Sequence, residues 1–166
     1  NRIDRNTGGI VIAAKNAVAL RVMNEKIKYD KLTKSYLCLV HGVPSPKKAE
    51  LHAYLRKNSK DNTVEVRDKE FAGSKNIITV YKVLKAYGQE KALLEIDLIT
   101  GRTHQIRVHF ASLGTPLVGD TMYGTPRDDI SRQALHCCYC RFTHPVTKEI
   151  IEIESPLHDD IAQFVK

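Results

Sequence analysis

Apolar residues in this chain either alternate with polar ones or gather in short runs, and only a few stretches take up helical spacing. The run 10–14, Ile-Val-Ile-Ala-Ala, is apolar on both faces and predicts a strand in the middle of a sheet. Asn16 then offers an N-cap, and Val18, Ala19, Val22, Met23 and Ile27 recur at near-helical spacing up to about Lys28. A second strand is expected over 35–40, stopped by Gly42, Pro44 and Pro46. Strands then succeed one another over 49–56, 63–67, 76–87 and 91–98, with Gly73-Ser74 and Gly88-Gln89 as turns. Thr103 is placed to cap a helix running to Leu113, with Ile106, Phe110 and Leu113 on its buried face. A loop over 114–126 leads to strands over 134–142 and 149–154 and a closing helix over 158–166. Hairpin turns outnumber helices and no β-α-β alternation is sustained, so the expected fold is α+β, a mixed, mainly antiparallel sheet with flanking helices.

With 166 residues, 42% of them hydrophobic and 27% charged, the chain has the profile of one globular domain spanning 1–166. A domain of this size buries roughly 70% of the surface its unfolded chain exposes, enough for a core without disulfides. Intrinsic disorder and a disulfide scaffold are excluded on those grounds. Cys38 stands alone and Cys137, Cys138 and Cys140 cluster, which matches neither a secreted framework nor paired zinc motifs. On a regular strand Cys138 and Cys140 would share one face and Cys137 the other. We read all four as small core residues and expect no metal. No apolar run approaches the ~20 residues of a membrane span, and no secretory leader opens the sequence, so a cytoplasmic protein with no membrane partner is expected. The most polar cluster starts at residue 1 with no strand ahead of it, which suggests a domain truncated at its N-terminus.

Charge adds a partner class. Lys and Arg number 26 against 19 Asp and Glu, a net charge of +7 that favours an anionic partner. Lys31, Lys34, Lys47, Lys48, Arg56, Lys57 and Lys60 lie among the turns of the first half, while Arg2, Arg5, Arg102 and Arg107 sit beside polar clusters. In the first cluster, Arg2-Ile3-Asp4-Arg5, two cations flank a carboxylate and favour its charged form, which suits a nucleophile or an electrostatic stabiliser. A surface salt-bridge loop would read the same way. The second, Thr100-Gly101-Arg102-Thr103-His104-Gln105-Ile106-Arg107-Val108-His109, compresses guanidinium and imidazole groups around a strand-to-helix turn. Helix-terminal amides and guanidinium forks together suit an anion. His104 and His109 are five apart, not the four of a helical metal pair. Tyr36, early on a strand in basic surroundings, is the third candidate; alone it would be a half-buried packing residue.

Taken together, these segments resemble a known family. Asn1-Arg2-Ile3-Asp4-Arg5-Asn6-Thr7-Gly8-Gly9-Ile10 is similar to the H-R-L-D-x-x-T-S-G-[LIV] signature of the RluA-type RNA pseudouridine synthases. Lys34-Ser35-Tyr36-Leu37-Cys38-Leu39-Val40-His41-Gly42 resembles that family's K-x-Y-x-A-x-V-x-G segment. The stretch from Thr100 to His109, followed by Gly114-Thr115-Pro116-Leu117-Val118-Gly119-Asp120 and Tyr123-Gly124, resembles its longest motif almost letter for letter. Gln133-Ala134-Leu135-His136, His144-Pro145-Val146 and Ser155-Pro156-Leu157 resemble its C-terminal segments. Asn1, Gly8 and Cys38 stand where the family usually has His, Ser and Ala.

The resemblance implies a pseudouridine synthase-like catalytic fold and the isomerisation of uridine to pseudouridine in ribosomal or transfer RNA, a reaction needing no metal, nucleotide or redox cofactor. It assigns the essential aspartate to Asp4, which either adds at ribose carbon 1′ or takes the proton at carbon 2′. It pairs Asp4 with an arginine of the long motif. Arg107, projecting from a helix, is the expected partner, with Arg102 in the turn as the alternative. It places Tyr36 against the target uracil and makes Arg2 the residue that grips or replaces the flipped nucleotide. Arg5, Arg102, Thr103, His104 and Gln105 are expected to contact RNA, and a monomer is the simpler state. Two other readings have less support. One is a basic module that binds RNA without catalysis, and the other a phosphate-handling hydrolase using His104 and Asp120, for which no Gly-rich phosphate loop is present.

Overall fold

The computed structural model describes residues 3–29, 32–58, 63–124 and 130–165. Among the described residues eight strands form one sheet: β1 (Gly8–Gly9), β2 (Leu32–His41), β3 (Lys48–Lys57), β4 (Val64–Arg67), β5 (Lys75–Tyr87), β6 (Lys91–Leu98), β7 (Leu135–Thr143) and β8 (Ile150–Glu154). Their order is β1-β7-β2-β6-β5-β3-β4, with β8 also on β7. Every pairing is antiparallel except β1 with β7. Among the described residues three helices accompany the sheet: α1 (Ala17–Lys28), α2 (Gln105–Ser112) and α3 (Asp159–Ala162). The mixed, mainly antiparallel α+β architecture expected from the pattern is the one observed.

Alternation places Tyr36, Cys38 and Val40 of β2, Leu94 and Ile96 of β6 and Tyr81 of β5 on one face, where α2 covers them with Ile106 and Phe110. Tyr81 and Phe110 meet edge to face with centroids 5.4 Å apart. The opposite face buries Leu39 against Val118, Ala134 and Ile161 of α3. The sheet is thus sandwiched, and α2 rides on the face that also carries the polar clusters.

Three expectations are corrected. Residues 10–14 do not form a strand; β1 covers Gly8–Gly9, the Ile10 N–H donates to the Cys137 carbonyl at 3.1 Å, and Val11 is 55% exposed. A parallel strand continuing along β7 would need its edge from Tyr139 onward, and β8 already holds it, pairing Tyr139 with Glu154. Ile10 and Ile12 pack instead beside Met23 of α1. Second, α2 starts at Gln105 with His104 as N-cap in the left-handed region, φ 55°, rather than at a Thr103 cap. Gln105 closes that turn itself, accepting from the Arg102 N–H at 3.1 Å and from the Thr100 hydroxyl at 2.9 Å. Leu113, expected inside, is 47% exposed beyond the helix end. Third, Cys137 and Cys140 are buried on the same side, while Cys138 is half-buried. A bulge causes this: Ser35 pairs with Tyr139 but Tyr36 with Cys137, leaving Cys138 unpaired and shifting the alternation.

The Asn16 cap of α1 is present, its Oδ1 accepting from the Ala19 N–H at 2.9 Å, yet Met23 is the helix's buried residue and Val18 is 65% exposed. Phe110→Ala should therefore cost about 3–5 kcal/mol, whereas Val18→Ala should change stability by less than about 0.5 kcal/mol. Urea unfolding of both variants checks this contrast, and equal losses would contradict the assignment of the core.

Candidate active site

Asp4 is held by a backbone clamp rather than by an element of its own. Its carbonyl accepts from the Thr7 N–H at 3.0 Å, closing a turn that carries Asn6 at φ 70°. Gln133 Nε2 donates to the Arg5 carbonyl at 2.7 Å and to Thr7 Oγ1 at 3.1 Å, and Arg132 Nη1 donates to the Asn6 carbonyl at 3.1 Å. Arg132 is itself fixed to Asp160 of α3 at 2.6 and 2.8 Å. The turn ends at Gly9, where φ is +97° and an added Cβ would lie 2.2 Å from the Cys137 carbonyl oxygen. Only glycine lets the chain press against β7 that closely.

Arg107, on the first turn of α2, reaches Asp4 with Nη1 3.8 Å from Oδ2. Its tighter partner is Asp120, bound through Nε at 2.7 Å and Nη2 at 2.8 Å. The Asp120 side chain is fully buried and that of Arg107 is 7% exposed. Burial works against both charges, but the paired hydrogen bonds outweigh it, holding the Asp120 carboxyl below its ordinary pKa and raising that of Arg107. Asp120 also accepts from the Met122 and Tyr123 N–H groups at 3.0 and 3.1 Å. The Arg107 guanidinium lies 5.0 Å from the centroid of the Tyr123 ring, whose hydroxyl bonds His104 Nδ1 at 2.8 Å. Burial, more than any neighbouring charge, depresses the His104 pKa.

A narrow pocket of about 70 Å³ opens between Asp4 and Tyr36, walled by Lys34, Leu98, Arg102 and Ile106. It adjoins a wider cleft of about 580 Å³ that shares Ile3, Asp4, Gly101 and Arg102 and extends past Arg5, His104 and Arg107. Tyr36 is 4% exposed, and burial beside the Cys137 thiol pushes its hydroxyl far above the ordinary phenolic range. It stays a neutral ring whose hydroxyl is hydrogen-bonded to the Cys137 sulfur. Lys34 pairs with Cys140 and Tyr36 with Cys137 across the β7 bulge, so these four side chains share one face of the sheet, the face that carries the pocket. No three His, Cys, Asp or Glu residues converge on a metal position among the described residues.

Asp4, Tyr36, Arg102, Arg107, Arg5, Thr103 and His104 therefore converge on one connected cleft. Gln105 is a correction: it is 2% exposed, and its amide is used internally, donating to the Ile78 carbonyl at 3.0 Å and Thr79 Oγ1 at 2.9 Å. It shapes the turn and has no amide group left for RNA. His104 is likewise 6% exposed and engaged with Tyr123. Arg2, Lys31 and Lys60 lie outside the described residues. Sequence reasoning gave Asp120 no part in the site beyond the hydrolase alternative and overlooked Tyr123, Arg132 and Gln133. All but Arg132 stand inside the quoted motifs, but nothing in their spacing tells a cleft residue from a support behind it.

The site thus sets a carboxylate and a guanidinium at the mouth of a pocket that holds the Tyr36 ring, in a cleft lined by arginines on a mixed sheet. Comparison with known proteins gives the family. The model of the RNA pseudouridylate synthase family matches residues 1–112. An uncharacterized RNA pseudouridine synthase of Bacillus subtilis, YhcT, is 34% identical over 167 residues, covering 100% of this chain and 54% of that protein. The ribosomal large subunit pseudouridine synthase C of Vibrio vulnificus is 35% identical over 173 residues, covering 100% and 53%. Among solved structures, human RNA pseudouridylate synthase domain containing 1 superposes with a TM-score of 0.81 at 30% identity, covering 94% of this chain and 67% of that one. The chain belongs to the RNA pseudouridylate synthase family, and it spans about half the length of the curated relatives it matches.

Removing the charge of Asp120 strands a buried guanidinium. Asp120→Asn should cost about 3–5 kcal/mol in denaturant unfolding, and a loss under about 1 kcal/mol would contradict the buried pair. His109, 3% exposed, bonds Thr79 through Nδ1 and has a buried Nε2 without a partner. Burial first, then His52, lowers its pKa from 6.5 to about 4. Between those values the unfolded chain binds a proton that the folded chain refuses, so stability must fall as pH drops through that window. Stability measured across the window should show a slope smaller by about one proton in His109→Gln than in the parent; identical slopes would contradict it.

Proposed function

We propose that this domain is the catalytic part of an RNA pseudouridine synthase that isomerises uridines of ribosomal or transfer RNA. The observation that carries the reading is the Asp4 carboxylate, 3.8 Å from a guanidinium that Asp120 holds in place, at the mouth of the pocket containing Tyr36. In the reaction the bond from ribose carbon 1′ to uracil N1 breaks, the freed base turns, and carbon 5 bonds to carbon 1′. Carbon 5 gives up its proton and N1 gains one, so the atoms balance without a redox partner. Asp4 acts at the ribose, by addition at carbon 1′ or by taking the carbon 2′ proton, and both routes need its charged form.

The remaining groups fit around that step. The target base must leave its stack, at a cost of a few kcal/mol. Tyr36 offers a ring face, and stacking a base on an aromatic is worth roughly 1–3 kcal/mol. Its neutral hydroxyl, hydrogen-bonded to Cys137, cannot serve as a phenolate base near neutral pH. Arg107 keeps the Asp4 carboxylate oriented and balances its charge. Arg5 and Arg102, both exposed at the cleft, suit backbone phosphates. Arg2 keeps its sequence-based part in gripping the displaced nucleotide.

Tritium release from RNA carrying 5-³H-uridine reports loss of the carbon 5 proton. The substrate is a pool of ribosomal and transfer RNA transcribed in vitro and so unmodified. The domain should release tritium, Asp4→Asn should release none, and Arg107→Lys should be slower by about 100-fold, roughly 3 kcal/mol of barrier. Tritium release by Asp4→Asn at the parent rate would overturn the reading.

A further inference from the structure

The turn 101–103 borders a third depression besides the pocket and the cleft. It measures about 380 Å³, and its charged lining is all cationic: Arg56, Lys57, Lys75 and Arg102, with Gly73 and Gly101 leaving the floor open. Strand alternation explains the lysines. Lys57 follows Ala53 and Leu55 along one face of β3, and Lys75 precedes Ile77 and Thr79 along the same face of β5. Ala53, Leu55 and Ile77 pack against Val108 of α2, so both lysines stand on the helix-covered side, next to the cleft. The Lys57 charge is felt at His104 on the cleft wall, a lesser influence there than burial.

Arg56 is committed to the scaffold. It donates to the Ala72 carbonyl at 3.1 Å and to Glu65 at 2.8 Å, and its guanidinium and that of Arg67 lie 5.0 and 4.5 Å from the centroid of the Phe71 ring. Those contacts pin the segment carrying Gly73 against β3. Lys57, Lys75 and Arg102, by contrast, form no ion pair with any described residue. The same turn leads into α2, whose N-cap makes no side-chain hydrogen bond. Arg102 lines the pocket, the cleft and the depression alike, so an extended polyanion bound at Asp4 would pass it to reach Lys57 and Lys75.

Taking the RNA substrate of the proposed function as given, we infer that this depression is a subsite for a phosphodiester of the strand flanking the target nucleotide, held by Lys57, Lys75 and Arg102. Lysines are flexible point charges that track a backbone without reading bases, so the subsite contributes affinity and register rather than sequence choice.

The probe is a fluorescein-labelled single-stranded oligouridylate of about ten nucleotides, with binding to the full chain followed by anisotropy over a salt series. Each phosphate neutralised on a single strand contributes about −0.7 to the slope of log K against log salt, so K57Q/K75Q should flatten it by about 1.4. The control is K48Q/K82Q, which removes the same charge from a cross-strand pair on the opposite face and should keep the parent slope. With the unmodified transcripts, K57Q/K75Q should lower kcat/KM about 10-fold while kcat at saturating RNA is unchanged. Equal slopes in the two double variants, or a loss of kcat in K57Q/K75Q without a change in slope, would overturn the subsite. Absence of tritium release by the parent chain, with the slope difference intact, would overturn the pseudouridine reading and leave the polyanion subsite standing.

Discussion

A guanidinium taken out of water must be met by a carboxylate, and the geometry of this cleft follows from how that demand is met at Arg107. Asp120 fills the Nε and Nη2 edge of the fork, leaving Nη1 as the end directed at Asp4. Unbuttressed, Arg107 could swing toward solvent or collapse onto Asp4. Asp120 is held in turn by two backbone N–H groups in a loop entered through Gly119, where φ is +74° and a Cβ would lie 2.1 Å from the Arg132 carbonyl oxygen. The ion pair therefore ties α2, the loop after it and the start of β7 into one rigid support.

The same sheet strand supports the other side of the site. Gly8 and Gly9 lie against His136 and Cys137 of β7, and the bulge two residues on faces Tyr36. Asp4 and Tyr36 are thus positioned from neighbouring stretches of one strand, and Arg107 from the helix packed across it. The constellation is preformed in the fold, as the proposed electrostatic stabilisation of a developing charge requires. Beside it the depression at the 101–103 turn is lined by Arg56, Lys57, Lys75 and Arg102, with no carboxylate among its lining residues.

The sheet was legible because its strands alternate cleanly: β2 to β8 fall within a few residues of the expected spans. That Asp4, Tyr36 and Arg107 line one connected cleft agrees with their places in the motifs that resemble the family. The failures share a physical cause. Whether 10–14 pairs depends on β8 occupying the β7 edge, a competition between segments far apart in sequence. Gln105 looks like a surface amide until Thr79 and Ile78 of β5 are brought beneath it. The phase of the three cysteines depends on a bulge that no alternation rule contains. Asp120 had a part in sequence only in the hydrolase alternative, and in space it anchors Arg107.

The dependence of Asp4 on that support is measured most directly by single-turnover tritium release at saturating RNA from Asp120→Asn, at a temperature where circular dichroism shows the variant folded. The rate should fall about 100-fold while the affinity for RNA stays at the parent value. A folded Asp120→Asn that turns over at the parent rate would contradict the account, because the Arg107 guanidinium would then need no anchor to serve Asp4.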